Sequence, residues 1–357
     1  MSTKKLIKAL GLIIVVALLA AALPLQAKAQ TSEEVVYTVC SEGCTYTTIQ
    51  DAVLAVRALP DPGTPTTYRI EVGAGVYDTA STIDIVQQNN KNIILDGASK
   101  DSVTVKDQIR IDGNARHNAA EEVTIQNITF DFSNLSGDII TTAKLVPETY
   151  VYAHNIIVKD CDFIGNPNAE KYGKVVAVRA GTSGGHTNFV LENLTGTHIH
   201  SLIQATSVTL PGVTVNHCTV TDSLSGLNLV NSPGFVDDFT YSGLETGIRT
   251  NFPLTVTNSS IVSAGSVSNP ADPKTAIVTR YTNNKVITIT DSLIKNSNEG
   301  NYAIANDTSS PVTSVTLVIK NVDTGGGNFD LALVGGLGPV TLISTSGDTA
   351  IYKFFTT

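Results

Sequence analysis

The sequence predicts an all-β fold: a right-handed parallel β-helix of about ten coils with an N-terminal capping helix. Two observations lead there. First, one pattern recurs seven times: apolar, any, apolar, any, a polar turn residue, then an apolar residue within the next three. It reads VTIQNITF from Val123, IIVKDCDF from Ile156, FVLENLTG from Phe189, VTVNHCTV from Val213, LTVTNSSI from Leu254, ITITDSLI from Ile287 and LVIKNVDT from Leu317. The turn residues are Asn127, Asp160, Asn193, His217, Asn258, Asp291 and Asn321, in steps of 33, 33, 24, 41, 33 and 30 residues. Asn and Asp tolerate a left-handed bend between two strands. Second, most repeats carry another short apolar strand, such as Val175–Arg179, Ser201–Ala205, Gly226–Val230, Ala276–Arg280 and Tyr302–Asn306. Each coil then has two or three strands, and the rule for parallel crossovers makes the winding right-handed.

Residues 1–29 read as an export signal. Lys4, Lys5 and Lys8 precede an apolar run from Ala9 to Leu23, and Ala27-Lys28-Ala29 is a small-x-small cleavage site. That run is shorter than the about 20 residues of a membrane span. An uncleaved anchor is the alternative reading. After cleavage no membrane span remains, and residues 30–357 read as one β-helix domain, secreted or at the cell surface.

The entry segment leads to TTIQDAVLAVRAL (Thr47–Leu59), whose Ile49, Ala52, Val53, Val56 and Leu59 follow helical spacing. A helix here would cap the first coil and hide its open strand edge. YRIEV (Tyr68–Val72) and NIILDG (Asn92–Gly97) begin the coils. The longest step, from His217 to Asn258, places a long loop around Ser232–Asn251. The closing coil, VTLISTSGDTAIYKFF, is apolar and β-prone with no evident cap, which suits self-association.

Charged residues make up 15% of the chain and the net charge is −9, which argues against nucleic acid and anionic membranes as partners. Cys40 and Cys44 are close enough for a small disulfide loop in an exported protein. Cys161 and Cys218 each follow a turn residue, in a slot that also holds Ile128, Leu194 and Val322, so they read as buried. The coil of Asn193 separates them, about 10 Å at the strand spacing, too far to bridge. Glycosylation sequons stand at Asn127, Asn134, Asn193, Asn258 and Asn306. At Asn127, Asn193 and Asn258 a packing role in the turn competes with that reading.

The order YTTIQDAV (Tyr46–Val53), YRIEVGAGVYDT (Tyr68–Thr79), NIILDG (Asn92–Gly97) resembles the opening of the pectin methylesterase family of pectate-lyase-like β-helices. IIVKDCDFIGN (Ile156–Asn166) with KVVAVRAGT (Lys174–Thr182) is similar to the strand pair carrying that family's first oxyanion glutamine. The resemblance implies a polysaccharide partner and a site with two aspartates, glutamines and an arginine. On this chain those positions fall on Lys174, on His200 beside Ser201, and near Ser225, with Arg249 as the arginine. Both catalytic carboxylates are then replaced. Asp162 has the look of the nucleophile motif, but the repeat register puts it one coil too early.

The candidate catalytic set is therefore Lys174, His200, Ser225 and Arg249, with Ser225 as nucleophile, His200 as base and a cation on the oxyanion. The competing reading is an exposed polar face on a decayed site. Arg179, Tyr172 and His198 are candidate glycan contacts. Tyr68, Tyr77, Tyr152 and Tyr241 are further candidates for stacking on sugars. His198 and His200, two apart on a strand, would face one side, yet without a third ligand they assign no metal. Asp237-Asp238 and the Asp101, Asp107, Asp112 set could take calcium, but their spacing matches no calcium loop, and no cofactor is assigned. His217 reads as structural. Three functions stay open: a non-catalytic extracellular protein that binds carbohydrate or assembles end to end, a carbohydrate esterase with altered residues, and a polysaccharide lyase or epimerase.

Overall fold

The computed structural model describes residues 33–113, 121–142, 152–168, 172–178, 185–265, 274–279, 285–298, 303–306, 315–323, 329–332, 340–344 and 352–355. Residues 1–29, expected to be an export signal, and Arg179 and Arg280 lie outside these. From Glu34 onward the chain is one compact unit, wound as a right-handed parallel β-helix. Every pairing between its extended strands is parallel, as between Thr66–Val72 and Lys91–Gly97 or between Ser225–Val230 and Thr246–Thr250.

Each coil has three faces. The first face begins with Glu34–Val39, followed by Thr66–Val72, Lys91–Gly97, Val123–Gln126, His154–Lys159 and His186–Glu192. The second begins with Gly75–Tyr77, Val103–Val105, Thr129–Asp131, Asp162–Ile164 and Thr195–Thr197. From Val208–Thr221 onward these two faces run together through a bend. Among the described residues the third face holds eleven strands, from Thr82–Val86 through Lys174–Val178, Ser201–Thr206, Ser225–Val230 and Thr246–Thr250 to Tyr352–Phe355.

The bend between the first two faces is where the sequence pattern put it. Asn127, Asp160, Asn193, His217, Asn258, Asp291 and Asn321 all have left-handed φ, between 49° and 58°. Their side chains form a ladder. Asn127 Nδ2 donates to Asp96 Oδ1 at 2.8 Å, Asn193 to Asp160 at 2.6 Å, Asn258 to Asp237 at 2.8 Å and Asn321 to Asp291 at 2.7 Å. His217 Nε2 faces Asp238 Oδ2 at 3.5 Å. The amides of three sequons are thus engaged in the stack, whereas Asn134 is exposed in a turn.

The long loop expected at Ser232–Asn251 is instead a complete coil, with strands Gly234–Gly243 and Thr246–Thr250. Its left-handed residue is Asp238, φ 47°. The 41-residue step is two short coils of 21 and 20 residues. The pattern hid this coil because Gly234 occupies the first apolar slot, in register with Val213 and Leu254. A side chain there would press on Leu229, whose Cδ1 lies 2.6 Å from where a Cβ would stand.

The core is a set of one-residue-per-coil stacks. Ile70, Leu95, Ile125, Val158, Leu191, Val215, Val236, Val256, Ile289 and Ile319 follow one another in register, each almost fully buried. Burial of each such side chain contributes about 1.5–3 kcal/mol. Phe130 and Phe163 stack on adjacent coils with centroids 5.1 Å apart. The slot after the bend also admits polar atoms that serve the backbone. Cys161, Cys218, Ser259 and Ser292 each donate to the carbonyl two residues back, at 3.2, 3.2, 2.7 and 2.7 Å. Both cysteines are free and buried, and burial pushes their thiols up to about 12. Cys40 and Cys44 form a disulfide.

The helix Ile49–Ala58 starts at Thr48, whose hydroxyl accepts from Asp51 N–H. It buries Ile49, Ala52, Val53 and Val56, and Gln50 Oε1 accepts the edge N–H of Asp84 at 2.8 Å. The first rung's open edge is so covered. Lys91, buried, donates from Nζ to Val56 O at 3.1 Å, to Leu59 O and to Gln88 Oε1 at 2.8 Å, which ties the helix C-terminus to the first face.

Candidate functional site

The corner between the second and third faces collects most of the singled-out residues. Two rows cross it, one residue per coil. Asp138, Lys174, Ser201, Ser225 and Thr246 form one row, by the register of the third-face strands. His200, Leu224, Glu245 and Lys274 lie one residue earlier on their own coils. The winding therefore brings Lys174, His200 and Ser225 together on successive coils. Ser225 N–H donates to His200 O at 2.7 Å, and His200 N–H donates to Gly173 O at 2.7 Å.

Arg249 stands elsewhere. It is paired in register with Asn228, three residues along the strand from Ser225, and Asn228 is paired with Gln204. Gln204, Asn228 and Arg249 thus form a half-buried outward row on three consecutive coils. Among the described residues Asn228 Oδ1 has no hydrogen-bond partner.

The corner's charges are largely matched. Lys174 Nζ lies 3.6 Å from Asp138 Oδ1, and Lys274 Nζ pairs with Glu245. Burial first, then Lys174, hold the His200 imidazole below its ordinary value; Glu245 and Asp138 pull it up, and Arg249 lowers it further. Among the described residues its buried Nδ1 hydrogen-bonds nothing, so Ser225 Oγ is not attached to it. Ser201 Oγ and Thr246 Oγ1 are likewise buried without a partner.

Asp138, Glu245 and Lys274 were missed from the sequence. A signal was available: the inward apolar residues of the third face are Ile140, Val176, Ile203, Leu227, Ile248 and Ile277. Counting back two or three residues from each returns the two rows.

His198 and His200 do not share a strand. They flank a corner, and His198 has a left-handed φ of 55°. The alternation argument therefore fails for this pair. The His198 ring instead lies 6.3 Å from that of Tyr172, whose hydroxyl donates to Asp222 O at 3.2 Å. Tyr172 is half-exposed, while Tyr68, Tyr77, Tyr152 and Tyr241 are buried and cannot stack on a sugar. Among the described residues no three His, Cys, Asp or Glu side chains are grouped to hold a metal. Asp107 accepts from Thr79 N–H at 3.0 Å and Thr79 Oγ1 at 2.7 Å. Asp237 accepts from Thr257 and Asn258. Among the described residues no helix is long and apolar enough to cross a membrane.

No protein-family model matches the chain, and no curated protein sequence does. Solved structures do resemble it. A pectin methylesterase from carrot is 14% identical with a TM-score of 0.38, over 92% of this chain and 89% of that one. The alginate lyase AlyGC, of family PL6, is 13% identical with a TM-score of 0.45, over 90% of this chain and 50% of that one. The A-module of a mannuronan C-5 epimerase from Azotobacter vinelandii is 11% identical with a TM-score of 0.35, over 86% and 95%. All are pectate-lyase-like β-helices. At these identities the likeness concerns the winding alone, and no residue's role is taken from it.

Proposed function

We propose that this chain is an extracellular or cell-surface β-helix protein that binds polysaccharide without hydrolysing it. The observation that carries the reading is the commitment of both carboxylates at the corner. Asp138 faces Lys174 and Glu245 pairs with Lys274, so neither stands beside the other as acid and nucleophile. The row Gln204, Asn228, Arg249 supplies amide and guanidinium groups at the coil spacing of about 4.8 Å, which suits hydroxyls and carboxylates repeated along a glycan. Tyr172 offers a half-exposed ring at the neighbouring corner. Assembly through the closing coil belongs to the same reading and rests on its β-prone sequence.

The test is affinity electrophoresis on a panel of neutral and acidic polysaccharides, run beside assays for released methanol, acetate and unsaturated products. Retardation without turnover is expected, weakened by Arg249→Ala. Turnover of any of these polysaccharides contradicts the proposal. A second reading, an esterase with altered residues, draws on a neutral His200 with an unoccupied Nδ1 one coil from Ser225. A serine-directed phosphonate would label Ser225 under that reading and leave it unlabelled under the first.

A further inference from the structure

At the opposite end of the third face, where coils turn into the first face, lies a cleft of about 600 Å³. It arises from an irregularity in the stack. Between Thr187 and Phe189 the neighbouring strand runs from Thr209 to Val213, two residues longer. Leu210-Pro211-Gly212 faces the single residue Asn188, and the chain bulges outward at Leu210-Pro211, leaving Leu210 73% exposed as one wall. Gly212, at φ +95°, lies against Pro233, where a Cβ would stand 2.5 Å from Pro233 O. The floor is made by residues that precede the next two first-face strands, Pro233 and the pair Phe252-Pro253. Their carbonyls hold the rungs, Val213 N–H to Pro233 O at 2.9 Å and Gly234 N–H to Pro253 O at 3.0 Å. The floor is therefore fixed by the coil ladder itself.

The chemistry of the cleft is simple. Its lining is apolar apart from a few neutral polar groups and one charge, Lys285, whose ammonium lies 4.1 Å from the centre of the Phe252 ring. Ligand pockets span about 300–1,000 Å³ and combine an apolar wall with a few orienting polar groups. A ring packed against Leu210, Pro233 and Phe252 would fill the apolar part, and the ammonium held over the Phe252 ring favours a negative end group over a neutral or positive one. A sugar would leave most of its hydroxyls facing prolines and leucine.

We propose that this cleft binds a small organic carboxylate with an aromatic body, the ring held by Leu210, Pro233 and Phe252 and the carboxylate by Lys285. This site is separate from the polar corner at the other end of the third face, and its ligand is of a different class.

The experiment titrates the full chain with naphthoate, neutral naphthamide and cationic naphthylmethylammonium, read by ligand-observed NMR. The wild-type protein is compared with Lys285→Met and Lys285→Arg. Saturable naphthoate binding is expected, about tenfold tighter than naphthamide. Lys285→Met should erase that preference and Lys285→Arg should keep it. No naphthoate binding by the wild type, equal affinity for the three probes, or a preference that survives Lys285→Met would each overturn the proposal.

Discussion

Asp112 sits on the third face with its side chain 1% exposed, and among the described residues neither carboxylate oxygen has a hydrogen bond. Among the described residues its nearest cation is Arg110, with Nε at 3.8 Å, while the Arg110 guanidinium lies closer to Asp84, at 2.7 Å. Burial raises the Asp112 carboxyl to about 6; Arg110 and Arg57 oppose the rise and Asp84 adds to it. In the unfolded chain an aspartate titrates near 3.9. Between those values the folded state holds a proton that the unfolded state has lost. The group's contribution to stability is thus complete below about pH 4 and declines as pH rises through about 6. A rise of about two units corresponds to about 3 kcal/mol lost between pH 4 and pH 7. Asp112→Asn removes the titration and keeps the shape. Any unsatisfied amide it introduces costs the same at both pH values, so the difference between them isolates the charge. Urea unfolding of both proteins at pH 4 and pH 7 measures it. The wild type should lose about 3 kcal/mol more than the variant on going to pH 7. Equal losses in the two proteins would refute the reasoning.

Lys91→Met should destabilise the protein by about 2–4 kcal/mol, because two carbonyls at the helix C-terminus and the Gln88 side chain lose a buried charged donor. Thermal unfolding and faster proteolysis near residues 56–61 would report it. Cys161 and Cys218, with thiols at about 12, should resist a thiol reagent at pH 8 in the native protein and react fully in denaturant. Asn193→Asp places two carboxylates together on the bend ladder, against Asp160, and should cost about 1 kcal/mol at pH 7, with most of the loss recovered at pH 3 in urea unfolding.

The winding was legible because the bend demands a left-handed residue once per coil, and Asn, Asp or His supplies it at Asn127, Asp160, Asn193, His217, Asn258, Asp291 and Asn321. The capping helix was legible from its spacing and ran from Ile49 to Ala58, close to the expected bounds. The coil at residues 234–250 was not, because Gly234 replaces an apolar residue wherever Leu229 already fills the space. Its loss from view also hid Glu245. The candidate corner was only half legible. Lys174, His200 and Ser225 do meet, but their charged partners Asp138 and Lys274 sit at unequal sequence distances, since coil length varies while register does not. The buried tyrosines misled for a related reason: Tyr241 fills the core and its hydroxyl donates to Leu224 O at 2.9 Å, which composition does not reveal.

Coil register decides which side chains meet at that corner, and cysteine pairs on the first face test it. Thr214 is in register with Phe235, and Phe235 with Thr255. Thr214→Cys with Phe235→Cys should close a disulfide on mild oxidation, because adjacent rungs are about 4.8 Å apart. Thr214→Cys with Thr255→Cys should stay reduced across two rungs, about 10 Å. The reverse outcome, a bridge from 214 to 255 and none from 214 to 235, would mean that the segment between them is a loop and that the corner is assembled from other residues.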